Sequence, residues 1–326
     1  MSDRLSLSAL VRHHGRRSAL RSALRSLPLL RKILILVFGT VGPLHPRCRK
    51  GLKGLTVFVF HDVTSRPSLF SQDLGMATDP DLFRHQLKWI KRDFVVINPR
   101  DLGNEGLPPR PAILTFDDGF ADFRSTALPI LEEFEMPAIV FLNMDVSEGS
   151  PNAVALRTWK SPDSSNPNLW QKSTPHGYRQ KLGEIATLEM KGDLLRYQGD
   201  YLGPVDLKAL QDHPLVSIAN HLDNHWSVPD LDPSEFERAL LDNQQRLEAF
   251  ENSLRWYAHP HGIGTATTHH RAGELGFTRV FTGGGKLNPN PNSPVLDRID
   301  IDRTIGSRIA FRWRLTFRTL FPRRNS

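Results

Sequence analysis

ILTFDDGF, residues 113–120, runs an apolar stretch, Ile113 to Phe116, directly into two adjacent acids, Asp117 and Asp118, and then a glycine. A short apolar run bounded by a turn signal reads as a buried strand. Charge at the end of a buried strand is costly unless it is paired or holds a metal. The stretch therefore asks for a partner elsewhere in the chain.

Outward from it, apolar runs alternate with helical patterns. LTVFVFHDV (55–63), DFVVIN (93–98), PAILTF (111–116), PAIVFLN (137–143), LVSIAN (215–220), RWYAHP (255–260) and FTRVFTGG (277–284) read as strands. Between them, DPDLFRHQLKWIKR (79–92), ADFRSTALPILEEFE (121–135), DLKALQD (206–212), PSEFERALLDNQQRLEAFEN (233–252) and TTHHRAGELG (267–276) read as helices. The first has acids in its opening turn and bases in its last, as the helix dipole favours. Such alternation predicts a parallel α/β architecture, and six or seven units favour a barrel over an open sheet. Residues 145–205 break the rhythm and read as an insertion that forms a lid over the active face.

The chain has 326 residues, 39% hydrophobic and 24% charged, and one cysteine, Cys48. This composition suits a globular protein with a sizeable core and excludes a disulfide framework or a multi-cysteine zinc site. The net charge of +7 is concentrated in arginines at both ends. Residues 1–50 form a basic amphipathic extension followed by an apolar run, KILILVFGTVGPL (32–44), shorter than the roughly 20 residues a spanning helix needs. No small-residue cleavage site follows it. Residues 311–326 form a basic tail, which leaves 51–310 for the barrel. Both ends suit peripheral contact with an anionic membrane. The expected location is the cytoplasm or the cytoplasmic membrane surface, with the periplasm as the alternative.

In parallel barrels, catalytic groups gather at the carboxyl ends of strands. Asp117 and Asp118 occupy one such end. His221 and His225, in ANHLDNHWS after another, have a spacing that a helical turn would bring onto one face. Two histidines and a carboxylate make a three-ligand site for a divalent metal.

These motifs, with the HD that ends an early strand and the trailing GELGFTRVFTGGGKLN and DRIDI, resemble the NodB-homology polysaccharide deacetylase family, carbohydrate esterase family four, over roughly residues 54–302. The resemblance implies a distorted (β/α) barrel that removes an acyl group, acetyl or formyl, from the nitrogen of an amino sugar. It implies Asp118, His221 and His225 as metal ligands and Asp117 as general base on a metal-bound water. The ion is expected to be zinc, with cobalt, nickel or manganese as alternatives. WYAHPHG (256–262) stands at the third motif and resembles the branch that reads like FAYPYG, with Ala258 where other members carry the arginine that orients the base. No counterpart of the last motif's histidine is found, so His259, His261 and His61 are the candidates for the acid. His61, Asp62, Trp226, Pro260 and Gly262 are expected to orient the site or meet substrate, with Pro260 and Gly262 shaping a loop that offers a backbone N–H to the oxyanion. The expected substrate is a surface polysaccharide or a lipid-linked glycan precursor. A catalytically silent glycan- or metal-binding barrel is the alternative. No nucleic-acid partner is expected, because no recognition module is present.

Overall fold

Seven parallel strands close on themselves around an apolar interior. The computed structural model describes residues 28–42, 54–161, 166, 172–185 and 187–320. Helix α1 (Pro28–Thr40) precedes β1 (Thr56–Phe60). A small outer pair, β2 (Asp62–Val63) and β3 (Ala77–Thr78), flanks α2 (Leu69–Asp73). Then come α3 (Pro80–Asp93), β4 (Val95–Val96), β5 (Pro111–Phe116), α4 (Leu128–Phe134) and β6 (Ala138–Leu142). The insertion contributes α5 (Met144–Ser147), α6 (Ala153–Thr158), α7 (Pro175–Gly183) and α8 (Leu188–Gln198). The rest of the barrel is α9 (Pro204–Leu210), β7 (Val216–Asn220), α10 (Pro233–Leu247), β8 (Ser253–Ala258), α11 (Ala266–Glu274), β9 (Arg279–Thr282), β10 (Val295–Asp300) and α12 (Arg308–Leu320).

The strand order is β1-β10-β9-β8-β7-β6-β5, and β5 pairs back onto β1 from Thr56↔Ala112 to Phe60↔Phe116. Strand β4 pairs only with Pro111 and Ala112 at the start of β5. Closure abolishes exposed edges and brings all seven carboxyl ends to one rim. Alternation along the strands divides the core in two. Val57, Ile113, Ile139, Phe141, Ala219, Phe281 and Leu296 fill the barrel, while Phe58, Leu114, Phe116 and Val140 pack outward against helices.

The helices form where the sequence reading put them, and their caps are local. Asp79 caps α3 ahead of Pro80, and Asp232 forms a capping box with Glu235 on α10. One boundary differs. The expected tail from 311 is mostly helix: α12 begins at Arg308 and buries Phe311 and Leu315 in the main core, with Phe311 lying against Phe58, Phe94 and Trp89. Its partner is α1, from the expected N-terminal extension. The remainder of both extensions, residues 1–27, 43–53 and 321–326, lies outside the described residues.

Candidate active site

Asp117 and Asp118 leave β5 in different directions. Asp117 continues the inward-facing set of Ile113 and Thr115. Asp118 has φ +72°, in the left-handed region that residues with a Cβ rarely adopt, and this turn swings its carboxylate toward the loop after β7. Gly119 follows at φ +76°, where a Cβ would sit 2.5 Å from Leu142 Cδ2. The turn therefore requires glycine.

Asp118 Oδ1 lies 3.2 Å from His225 Nε2 and 3.5 Å from His221 Nε2, and the ligand atoms of the three residues all fall within 4.8 Å of one another. Asp118 Oδ1 and His221 Nε2 are buried, yet neither makes a hydrogen bond within the described residues. Buried polar atoms are normally paired. One carboxylate and two imidazoles converging here, with Asp118 Oδ1 and His221 Nε2 both left without a partner, fit a divalent transition ion, with zinc suited to this donor set. His221 Nδ1 donates to Ala258 O at 2.8 Å, which holds Nε2 toward the cluster.

The expected helical turn between the two histidines is not formed. Residues 221–227 make an irregular loop in which Leu222 has φ +65°. Buried amides hold it. Asn143 donates to His221 O and Leu222 O, Asn220 Oδ1 accepts from Leu222 N, and Asn243 bridges Leu142 O and Asn220. Asn224 accepts from His225 N and Ala153 N and donates to Pro151 O, so it ties this loop to the insertion.

Asp117 has the partner its position demanded. Arg298, on β10, reaches it with both terminal nitrogens, Nη1 to Oδ1 at 2.5 Å and Nη2 to Oδ2 at 2.8 Å, and its guanidinium lies over Phe141. Both residues are buried. Burial opposes the charge on Asp117, but Arg298, then His221 and His61, outweigh it and hold its pKa below the usual carboxylate range. For Asp118, burial is outweighed by His225 and His221, and the pKa falls well below that range. Sequence reasoning asked for a partner elsewhere in the chain but did not find Arg298. The one available signal was an arginine at the inward alternation of a closing strand, between Leu296 and Asp300.

A cavity of about 360 Å³ opens over these groups. His61 lines it with its side chain one-third exposed, Nε2 4.0 Å from Asp117 Oδ2. His261 also lines it and packs edge-on against His225, with ring centroids 4.4 Å apart. Burial, and then the neighbouring His225, push the His261 pKa well down. His259 is turned away: it is fully buried, its Nδ1 shares a hydrogen bond with Tyr257 Oη at 3.0 Å, and it does not line the cavity. Asn152 and Val154 form part of one wall, so the insertion does border the site.

Four other expected residues lie around the site. Trp226 is buried, donates its indole N–H to Asp223 Oδ1 at 2.5 Å and packs edge-on against Tyr178, which leaves no face for a sugar. Asp62 is buried behind the rim, accepts from Ser71 Oγ at 2.7 Å, and burial pushes its pKa to about 6. Pro260 is buried and Gly262 lines the cavity, with the Gly262 N–H itself donating to His259 O at 2.9 Å.

The sequence profile of polysaccharide deacetylases matches residues 104–280, just over half of the chain. The chain belongs to the polysaccharide deacetylase family. With membership comes hydrolysis of amide bonds on polysaccharides, and the matched segment contains Asp117, Asp118, His221 and His225. No curated protein sequence matches. Among solved structures, IcaB from Ammonifex degensii superposes with a TM-score of 0.56 at 19% identity, covering 80% of this chain and 97% of that one. The Streptococcus pyogenes deacetylase PplD, in complex with acetate, gives 0.51 at 20%, covering 79% and 96%. A de-N-acetylase from Aggregatibacter actinomycetemcomitans gives 0.53 at 18%, covering 79% and 99%. At these identities the likeness establishes the shared barrel. This deacetylase has Arg298 and His61 outside the profile match, contributed by the first and last barrel strands.

Proposed function

We propose that the chain removes an acyl group, acetyl or formyl, from an amino sugar of a surface polysaccharide or lipid-linked glycan precursor, with one divalent ion, zinc first, at Asp118, His221 and His225. The observation that carries this reading is the pairing of that converged triad with a separate buried carboxylate, Asp117, whose Oδ2 is 3.9 Å from His221 Nε2. When bound, the ion supplies Lewis-acid activation of water and of the amide carbonyl. Asp117, kept ionised by Arg298, takes the proton from the attacking water. The water oxygen forms the new bond to the carbonyl carbon. His61, on the cavity wall and partly open to solvent, gives a proton to the sugar nitrogen as the C–N bond breaks. Carboxylate and free amine leave. His259 faces away from the cavity and His261 is pressed against His225, so neither is placed as His61 is. A silent binding barrel would have no use for an ionised base clamped beside the triad.

The test combines metal analysis with amine release from acetylated and formylated amino sugars and oligosaccharides. The parent is expected to hold about one divalent ion and turn over. Asp117→Asn should keep the ion and lose turnover, and His221→Ala should lose both. His61→Asn should keep the ion and lower turnover. A parent without metal would sink the reading.

A further inference from the structure

Helix α1 carries an apolar stripe that faces away from the barrel. Ile33, Leu36, Val37 and Val41, at helical spacing, are 46 to 55% exposed, and Thr40 is the one polar member of the row. The opposite side of α1 rests on α12, where Gly39 brings the two backbones together: a Cβ there would lie 2.5 Å from Ile309 O. Phe38 packs edge-on against Trp313, which lies against Phe317. Ile309 of α12 extends the exposed surface. Helix α12 is in turn fastened to the catalytic rim. Arg314 pairs with Asp300 and Asp302, and Arg318 pairs with Asp300 at 2.7 Å. Both of those carboxylates line the cavity over Asp117.

Charge identifies what covers the stripe. Residues 1–53 and 308–326 hold 18 of the 42 lysines and arginines but 1 of the 35 acids, so these ends carry +17. The stretch between them holds 24 bases against 34 acids, a net of −10. A negative surface attracts the ends and repels the rest, which orients the molecule. An exposed aliphatic stripe beside half-buried tryptophan and phenylalanine, set in arginine-rich sequence, is the chemistry of a helix lying in a bilayer interface. No helix among the described residues is long and apolar enough to span.

We propose that the α1–α12 pair is a docking platform for an anionic lipid bilayer, held to the rim by Arg314 and Arg318 so that the cavity stands beside the membrane. Resting on the deacetylase reading, this names the substrate class as a glycan borne at the lipid surface. The test uses the full chain, sedimented with vesicles of phosphatidylcholine alone or mixed with phosphatidylglycerol. It compares the parent with the triple variant Ile33→Ser, Leu36→Ser, Val37→Ser, whose substitutions fall on exposed positions outside the site. Parent protein should pellet with the anionic vesicles, less so at high salt, and the variant should bind at least about tenfold more weakly. Amine release from a soluble acetylated oligosaccharide should be equal in the two. Equal pelleting of parent and variant would overturn the proposal. So would a parent that ignores vesicles and is a dimer by light scattering, split by the variant, because a second copy would then own the stripe. Vesicle binding in a parent inactive on every sugar would remove the hydrolase reading and leave the docking platform standing.

Discussion

At the scale of the residue, the site turns on how a barrel keeps two adjacent carboxylates charged. Asp118 does so among imidazoles and Asp117 against a bidentate guanidinium, so neither depends on the other's compensation. Removing one member of a buried ion pair strands the other, at a cost of about 3–5 kcal/mol. Arg298→Met should therefore lower stability by that order. It should also raise the Asp117 pKa and move the acid limb of kcat/KM to higher pH, while leaving metal content intact. Arg298→Lys should restore part of the shift; a pH profile with each variant checks this. Asp62 makes the opposite case. Its pKa is about 6 in the fold against 3.8 as a free side chain, because burial opposes ionisation. The folded state then binds the proton more tightly, so its contribution is fully present below pH 3.8 and lost as pH rises through about 6. Asp62→Asn, which still offers Ser71 an acceptor, should be about 3 kcal/mol more stable than the parent at pH 8 and equal to it near pH 4. Denaturant titrations at the two pH values decide the matter. Of these residues, the acids were legible in the sequence because charge at a strand end is conspicuous. Arg298 was not, because it lies 181 positions from Asp117.

At the scale of the element, the loop that carries His221 and His225 is irregular chain held by amides. A helix satisfies its own backbone, whereas this loop needs Asn143, Asn220, Asn224 and Asn243 to do it. Asn224→Ala would leave the N–H of Ala153 and the carbonyl of Pro151 unpaired in the interior, at about 2–4 kcal/mol. It should also weaken metal affinity about 10- to 100-fold by releasing His225. Thermal melts and competition with a chelator measure the two effects separately. The spacing of His221 and His225 was legible, but the conformation that joins them was not. An H-x-x-x-H interval suits a helical turn and a tight loop equally, and the choice was made by asparagines just after β6, at the end of β7, on α10 and in the loop itself.

Over the whole molecule, closure of β5 onto β1 brings His61, Asp117, Asp118, His221 and Arg298 to one rim from four strands. Metal binding at the proposed site would therefore be coupled to the entire fold. Zinc added to metal-free protein at a hundredfold excess over its Kd should stabilise it by about 2.7 kcal/mol, raising Tm. His221→Ala should abolish that shift. Calorimetry with and without a chelator is the measurement. Helix α12 belongs to the same account. Phe311→Ala should cost about 3–5 kcal/mol, because its ring fills the space between β1 and α3.

The sequence alone determined what is local. It showed the alternation of strand and helix, the end charges of α3, the acids that end β5, and the histidines that converge on Asp118. Each of these is a matter of period, propensity or the cost of charge in an apolar run, and all are readable over a few residues. Only the tertiary structure decided which arginine clamps Asp117, that His61 and not His259 faces the cavity, that Trp226 is interior, and that the basic C-terminal stretch is a helix of the core. Those outcomes depend on how strands distant in sequence are ordered around a closed barrel and on which side of the rim each side chain falls. Neither is encoded in any short stretch of the chain.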